Sequence, residues 1–345
     1  MAEPPNKKGI SVIVPCRNER KHVAAFLDSL RKQIIPPELD CEFLIADGMS
    51  NDGTREILHD YQRQYPQMRI LENPAQTVSC GLNAAIRCAV GEIIIRMDVH
   101  TEYAPDYIQQ CVAALEETGA ANVGGPACPV GEGYLQHAIS LAYVSPFSCG
   151  GARFHDSNYQ GYVDTVTYGC WRKSTLERIG LFDETLIRNQ DDELNLRIVR
   201  QGGKIWQTPR IRSWYHPRSS LTSLAKQYAQ YGYWKVRVIR KHRMPASWRH
   251  LIPAAFAAAL VTFSLASIFL PLARAALVAM LILYSCAAAA ASVVASRRSG
   301  DWLCLPILPV VFCTYHLSYG FGFLRGMWDT SVGRNPDPAF SALVR

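Results

Sequence analysis

Asp98 and His100 stand two residues apart in "IIIRMDVH", where a fully apolar run gives way to ionisable side chains. In an extended chain residues i and i+2 share a face, so this carboxylate and imidazole are expected to converge on one point. Two chemistries fit the pair: a polar strand end wetted by solvent, or a site for a divalent cation or a phosphate. Other carboxylates occupy comparable places. Asp47 closes "FLIAD", where it can accept an N–H from a base. Glu19 follows the first apolar run in "VIVPCRNER" and either favours a helix N-terminus or meets the ribose or base of a nucleotide. In "ADGMSNDGT", Asp52 reads as a turn and helix-cap residue. Asp191, Asp192 and Glu193 precede an amphipathic segment in "NQDDELNLRI"; such a run either complements a helix dipole or contains a general base. "SCGLNAA", with Asn83, opens a helix whose N–H groups can face phosphate.

The elements that must position these residues alternate. Apolar runs "ISVIV", "CEFLIA", "MRIL", "EIIIR" and "ANVGG" are separated by helical spacings over Glu19 to Gln33, Thr54 to Tyr65, Val78 to Ala89 and Pro105 to Thr118. Strands this apolar are buried on both faces, so the fold class is α/β, a doubly wound, mostly parallel sheet. Ligands of such sheets bind beyond the carboxyl ends of the strands, the edge at which Asp47 and Asp98 are expected. Pro15 is expected to end the first strand's ladder. No G-x-G-x-x-G follows that strand, which excludes a nicotinamide dehydrogenase.

Beyond Met244 the character changes. Leu251 to Leu272 and Ala275 to Ala295 contain no charged residue, and each is long enough to cross roughly 30 Å of hydrocarbon. Arg274 is expected in the short turn between them. A third run, Leu303 to Leu324, contains Pro306, Pro309 and His316 and reads as a kinked span or a re-entrant segment. Of the net charge of +7, much lies in "KVRVIRKHRMPASWRH" before the first run, and "SRRSG" follows the second. Basic flanks mark the cytosolic side, so the two runs are expected to form a hairpin with both flanks in the cytosol. The eleven cysteines show no C-x-x-C pair, and "MAEPPNKKG" has no signal-peptide run; both point to a cytosolic catalytic part. The expected division is residues 1–235, catalytic; 236–250, basic and juxtamembrane; 251–345, membrane region and tail.

"SVIVPCRNE", "IADGMSNDGT", "GLNAAI", "IIIRMDVH" and "NQDDELNLRI" occur in an order and spacing that resembles the family-2 glycosyltransferases of GT-A fold, over about residues 9 to 235. "WYHPRSSLTSLAKQYAQYGYWK" further resembles the succinoglycan-type, membrane-associated exopolysaccharide glycosyltransferases. The resemblance implies that Pro15, Glu19, Asp47, Asn83, Asp98 and Arg218 bind a nucleotide sugar, foremost a UDP-sugar. It implies Mn²⁺ or Mg²⁺ at Asp98 and His100, with histidine in the second acidic position of the family's D-x-D. Asp191 falls on the catalytic base of the E-D-x-E-L pattern, with Gln190 in place of its glutamate. Gly169, Trp171 and Arg172 would line the sugar and acceptor cleft, core packing being the alternative for Trp171. Arg172 and Arg218 would neutralise the leaving diphosphate. Gln227 and Gln230 stand where processive synthases carry Q-x-x-R-W, but the Arg-Trp pair is absent, which disfavours a processive synthase. The implied enzyme is an inverting hexosyltransferase at a membrane, with a polyprenyl-diphosphate-linked saccharide as acceptor and no nucleic-acid partner. A polyprenyl-phosphate sugar synthase and an inactive membrane-anchored sugar-nucleotide-binding scaffold are the alternatives.

Overall fold

The computed structural model describes residues 9–341. The N-terminal stretch read above for a signal sequence lies, but for Gly9, outside the described residues. The chain divides into two compact units, residues 9–128 with 156–215, and residues 129–155 with 216–341.

The first unit is built on an eight-stranded sheet. In chain order its elements are β1 (Gly9–Cys16), α1 (Val23–Arg31), β2 (Asp40–Asp47), α2 (Thr54–Gln64), β3 (Met68–Glu72), α3 (Val78–Cys88), β4 (Ile93–Arg96), β5 (Thr101–Tyr103), α4 (Tyr107–Thr118), β6 (Asn122–Gly125) and, at the junction, β7 (Cys128–Pro129). After residue 155 come β8 (Gly161–Val163), β9 (Thr167–Arg172), α7 (Lys173–Ile179), α8 (Gln190–Arg200), β10 (Ile205–Gln207) and β11 (Ser213–Tyr215). The sheet order is β3-β2-β1-β4-β9-β6-β10-β8, and β5-β11-β7 form a second, small sheet. Alternation along the strands feeds two separate cores. Ile10, Val12 and Val14 join Ile93 and Ile95 on the face covered by α1, α2 and α4. Ile13, Leu44 and Ile94 pack with residues of α3, α7 and α8 on the other.

The α/β reading therefore holds, with two refinements. β1 keeps its ladder one residue beyond Pro15, pairing Cys16 with Asp47. More consequentially, β9 runs antiparallel between β4 and β6, so the sheet is mixed at its centre. Trp171 lies opposite Ile94 and Arg172 opposite Ile93, at the amino end of β4. At about 3.3 Å per residue, Arg172 is roughly 10 Å from the edge of the strand at Arg96, beyond which Asp98 lies.

The second unit is helical: α5 (Gly133–Tyr143), α6 (Pro146–Cys149), α9 (Leu221–His242), α10 (Ile252–Ala266), α11 (Pro271–Ser299), α12 (Leu308–Ser331) and α13 (Pro338–Ser341). The expected catalytic boundary at residue 235 falls inside α9, which packs along α12. Glycines permit this approach: a Cβ on Gly322 would come within 2.0 Å of the Ala229 carbonyl oxygen, and one on Gly232 within 2.1 Å of that of Tyr319. Two helices, Trp248–Ala266 with its leading 3-10 turn and Pro271–Ser299, are long and apolar enough to cross a membrane, and only 11% of each apolar window is buried. Phe269, in the turn between them, and Leu272, at the start of α11, are more than four-fifths exposed. Arg274 belongs to the first turn of α11 rather than to that turn, and its guanidinium bonds the Ser267 carbonyl at 3.2 Å. The third run is a helix from Leu308 onward, with Pro306 in the turn before it. Pro309 starts α12 at a position where its missing N–H costs nothing, and the helix continues unbroken for 24 residues. Its Leu308, Val311 and Phe312 are fully buried, unlike the faces of α10 and α11.

A candidate active site around a buried arginine

Everything chemical at the carboxyl edge of β4 is arranged around Arg96. The strand ends there, not at Asp98, and its last side chain is a guanidinium only 5% exposed. A buried charge has to be paired. Arg96 donates to both oxygens of Asp98, Nε to Oδ1 at 2.8 Å and Nη2 to Oδ2 at 2.9 Å. Its Nη1 donates to Asp191 Oδ1. The phenol ring of Tyr168 lies 5.8 Å from the guanidinium carbon. Burial opposes the Arg96 charge, but Asp191 and Asp98 outweigh it and raise the guanidinium above its ordinary value.

The chain after Arg96 is shaped to hold this geometry. Asp98 N–H donates to Tyr103 Oη at 2.6 Å, and Thr101 and Tyr168 share a hydroxyl–hydroxyl hydrogen bond. Tyr168 adopts φ +60°, a left-handed conformation uncommon for a bulky residue. Gly169, at φ +114°, is required because a Cβ there would sit 2.3 Å from the Trp171 ring. Asp191 lies in the first turn of α8, after Asn189 at φ +62°, and its side chain is 36% exposed. Burial pushes Asp191 up to about 6, against the pull of Arg96 and with the repulsion of Asp98 and Asp192. Two residues on, Glu193 is fully buried and paired with Arg197 at 2.8 Å, a structural role.

Asp98 and His100 take different partners. Both lie past the end of the strand, so the two-residue alternation does not apply to them. His100 Nε2 is 2.8 Å from Glu19 Oε1, and its ring meets that of His22 edge-on at 5.0 Å. Glu19 itself is anchored by its N–H, which donates to Thr54 Oγ1 at 2.7 Å. Asp47 is wholly buried: the Ser50 N–H reaches its oxygens at 3.2 and 3.3 Å, and Arg55 Nε lies 3.2 Å away. Asp52 accepts from the N–H groups of Arg20 and Thr54, tying the loops after β1 and β2 together as the turn reading expected.

Three other expectations are corrected. Asn83 is buried and saturated: its amide donates to the Phe182 carbonyl and to Glu184, both at 2.8 Å, and its oxygen accepts from the Phe182 N–H at 2.9 Å. It pins the loop before α8 and offers nothing to a phosphate. Trp171 is 1% exposed and packs edge-on against Phe182, so it belongs to the core. Arg172 is exposed, but at the opposite edge of the sheet. Arg218 lies in the second unit, just before α9.

Arg96, Tyr103 and Tyr168 were not singled out by the sequence. Arg96 left a signal: one charge closing a run of three isoleucines demands buried partners. Tyr168 left none, because its place depends on β9 entering the sheet antiparallel.

Residues 11–174 match the family model described as Glycosyl transferase family 2. The chain is 29% identical over 327 residues to the succinoglycan biosynthesis protein ExoA of Rhizobium meliloti, covering 92% of this chain and 94% of that protein. It is also 29% identical over 326 residues to a dolichyl N-acetyl-alpha-D-glucosaminyl phosphate 3-beta-D-2,3-diacetamido-2,3-dideoxy-beta-D-glucuronosyltransferase of Methanococcus voltae, covering 92% and 97%. Among solved structures, a mannosyltransferase of Pyrobaculum calidifontis in complex with GDP-Man and Mn²⁺ superposes with a TM-score of 0.63 at 20% identity, over 93% of this chain and 87% of that one.

Proposed function

We propose, from the match of residues 11–174 to the family model described as Glycosyl transferase family 2, that the protein transfers one hexose from a nucleotide sugar to a lipid-linked saccharide, inverting the anomeric carbon. The observation that carries this reading is the shared arginine: Arg96 holds Asp98 and Asp191 within one hydrogen bond of the same guanidinium. Asp191, raised to about 6, is a base matched to neutral pH. It takes the proton of the acceptor hydroxyl while that oxygen bonds to the anomeric carbon. The bond from that carbon to the diphosphate breaks at the same time, and the nucleoside diphosphate leaves with the electron pair. A single displacement inverts the configuration.

The donor set fits a divalent metal of the Mg²⁺ or Mn²⁺ class. Asp98 is a hard oxygen donor, 28% exposed and fixed in orientation by Arg96. One carboxylate is too few to hold such an ion alone, so the donor's diphosphate would supply further oxygens. The ion would stabilise charge on the leaving diphosphate. His100 is engaged by Glu19 and takes no ligand role in this reading. Glu19 and Asp47 border the nucleotide; Asp47 reaches a base only if Arg55 turns aside. The apolar, outward-facing surfaces of α10 and α11 support insertion in a membrane, and the basic residues before α10 and at the end of α11 favour the cytosolic side for the catalytic unit. The relative named for a dolichyl-linked sugar phosphate supports a lipid-linked acceptor, and the one named for succinoglycan biosynthesis supports a role in polysaccharide assembly.

The test is Asp191→Asn in the full chain. Transfer should fall by about 10²–10⁴-fold, while calorimetry with the nucleotide sugar and Mn²⁺ gives a Kd within a few-fold of wild type. Transfer within twofold of wild type would remove Asp191 from the chemistry and favour a phosphate acceptor, which needs no strong base.

A further inference from the structure

Three side chains of the helical unit that the transfer reaction does not use meet at one point. His137 comes from α5; Asp301 and Cys304 come from the turn between α11 and α12. His137 Nε2 lies 3.1 Å from Asp301 Oδ2, and Cys304 Sγ lies 3.6 Å from the same oxygen. All three donor atoms are within 4.8 Å of one another. We propose that His137, Asp301 and Cys304 bind one Zn²⁺, which clips α5 to the α11–α12 turn.

Donor chemistry selects the metal. A thiolate with an imidazole and a carboxylate suits a borderline-soft ion such as Zn²⁺ and is wrong for Mg²⁺ or Ca²⁺. The spacing fits as well. With Zn–N and Zn–O near 2.0 Å and Zn–S near 2.3 Å, the edges of a coordination tetrahedron are roughly 3.3 Å for N···O and roughly 3.5 Å for S···O. The separations of 3.1 and 3.6 Å lie close to both. The thiol donates to Asp301 Oδ2 at 3.6 Å without metal, and the same separation is an ordinary edge of such a site.

The turn is shaped in advance. Asp301 Oδ1 accepts the Leu303 N–H at 2.9 Å, and the Asp301 N–H donates to Ser299 Oγ at 3.2 Å, which leaves Oδ2 directed at His137 and Cys304. Tyr134, one turn before His137 in α5, donates to the Leu303 carbonyl at 3.1 Å and fixes the two segments together. Cys304 is 1% exposed, whereas the His137 side chain is 43% exposed, which gives an ion its entry path and a water its fourth position. Binding must release the Cys304 proton, so affinity rises with pH.

The experiment loads metal-free, full-length protein in detergent with Zn²⁺ or Co²⁺. The expected result is one Zn²⁺ retained per chain after desalting, and a Co²⁺ form with thiolate-to-metal charge-transfer absorption in the near ultraviolet. Cys304→Ser should abolish that absorption, and His137→Gln should weaken retention at least tenfold. Each variant should keep wild-type affinity for the nucleotide sugar, which reports that the fold is intact. The thiolate band separates this ion from any metal held at Asp98, which has no sulfur donor. No retained Zn²⁺, or a thiolate band that survives Cys304→Ser, would overturn the proposal.

Discussion

Arg96 binds two carboxylates that would otherwise repel each other, and it does so at the end of a strand with no other charge. Its removal should therefore damage more than one function. Arg96→Gln leaves Asp98 and Asp191 facing each other without a cation, and both metal-dependent donor binding and turnover should fall. Unchanged values of both in calorimetry and steady-state assays would contradict the arrangement. Asp191 also sets a pH dependence. Its value of about 6 lies above the ordinary 3.8, so the base form is reached only above about pH 6. The acid limb of kcat/KM, which reports the free enzyme, should accordingly titrate near pH 6 rather than near 4. The same shift means the folded state holds this proton more tightly than the unfolded chain. The stability it contributes below about pH 4 is lost as pH rises through about 6. His100 differs from its expected role: bonded to Glu19, it should not select the metal. His100→Ala should leave the Mn²⁺-to-Mg²⁺ activity ratio unchanged, and a ratio that shifts several-fold would restore it as a ligand. Asp98 and Asp191 could be singled out because carboxylates just past an apolar strand and in a helix's first turn stand out in the sequence; their sharing of Arg96 could not be read there. Asn83 misled because saturation by neighbours is invisible in one dimension, and for Trp171 the sequence left cleft and core open for the same reason.

Among the elements, strand–helix alternation from β1 to β6 could be read directly, since each strand is apolar on both faces and each helix on one. β9 could not. It returns to the sheet after a long excursion, and nothing in "TYGCWR" states its direction; antiparallel entry carries Tyr168 to the site and Arg172 away from it. The third apolar run was also ambiguous, because Pro306 and Pro309 could equally break a span or precede and open a helix, as they do here. Gly322 and Gly232 are the sharpest test of the packing of α9 against α12. Gly322→Ala would press a methyl group against the Ala229 carbonyl, an overpacking that typically costs about 1–3 kcal/mol. Its thermal midpoint in detergent should fall by several degrees, and an unchanged midpoint would mean that α9 and α12 do not touch there.

For the whole molecule, α10 and α11 turn apolar faces outward over lengths that suit a bilayer. Arg274 and Arg298 lie 24 residues apart on α11, about 36 Å along a helix, enough to reach opposite membrane faces. Single cysteines at these positions, in a chain freed of its reactive native thiols, should differ in labelling by an impermeant reagent, Arg274→Cys alone reacting from outside. Equal labelling would mean that α11 does not span. The central claim is hexose transfer from a nucleotide sugar through Asp191. It is tested most directly by incubating wild-type and Asp191→Asn membranes with a panel of labelled nucleotide sugars and lipid-linked saccharides, Mn²⁺ present. Label should enter the organic-extractable fraction with one donor in the wild type, and at least a hundredfold less in the variant. Equal incorporation by both, or none by the wild type with any donor that it binds, would contradict it.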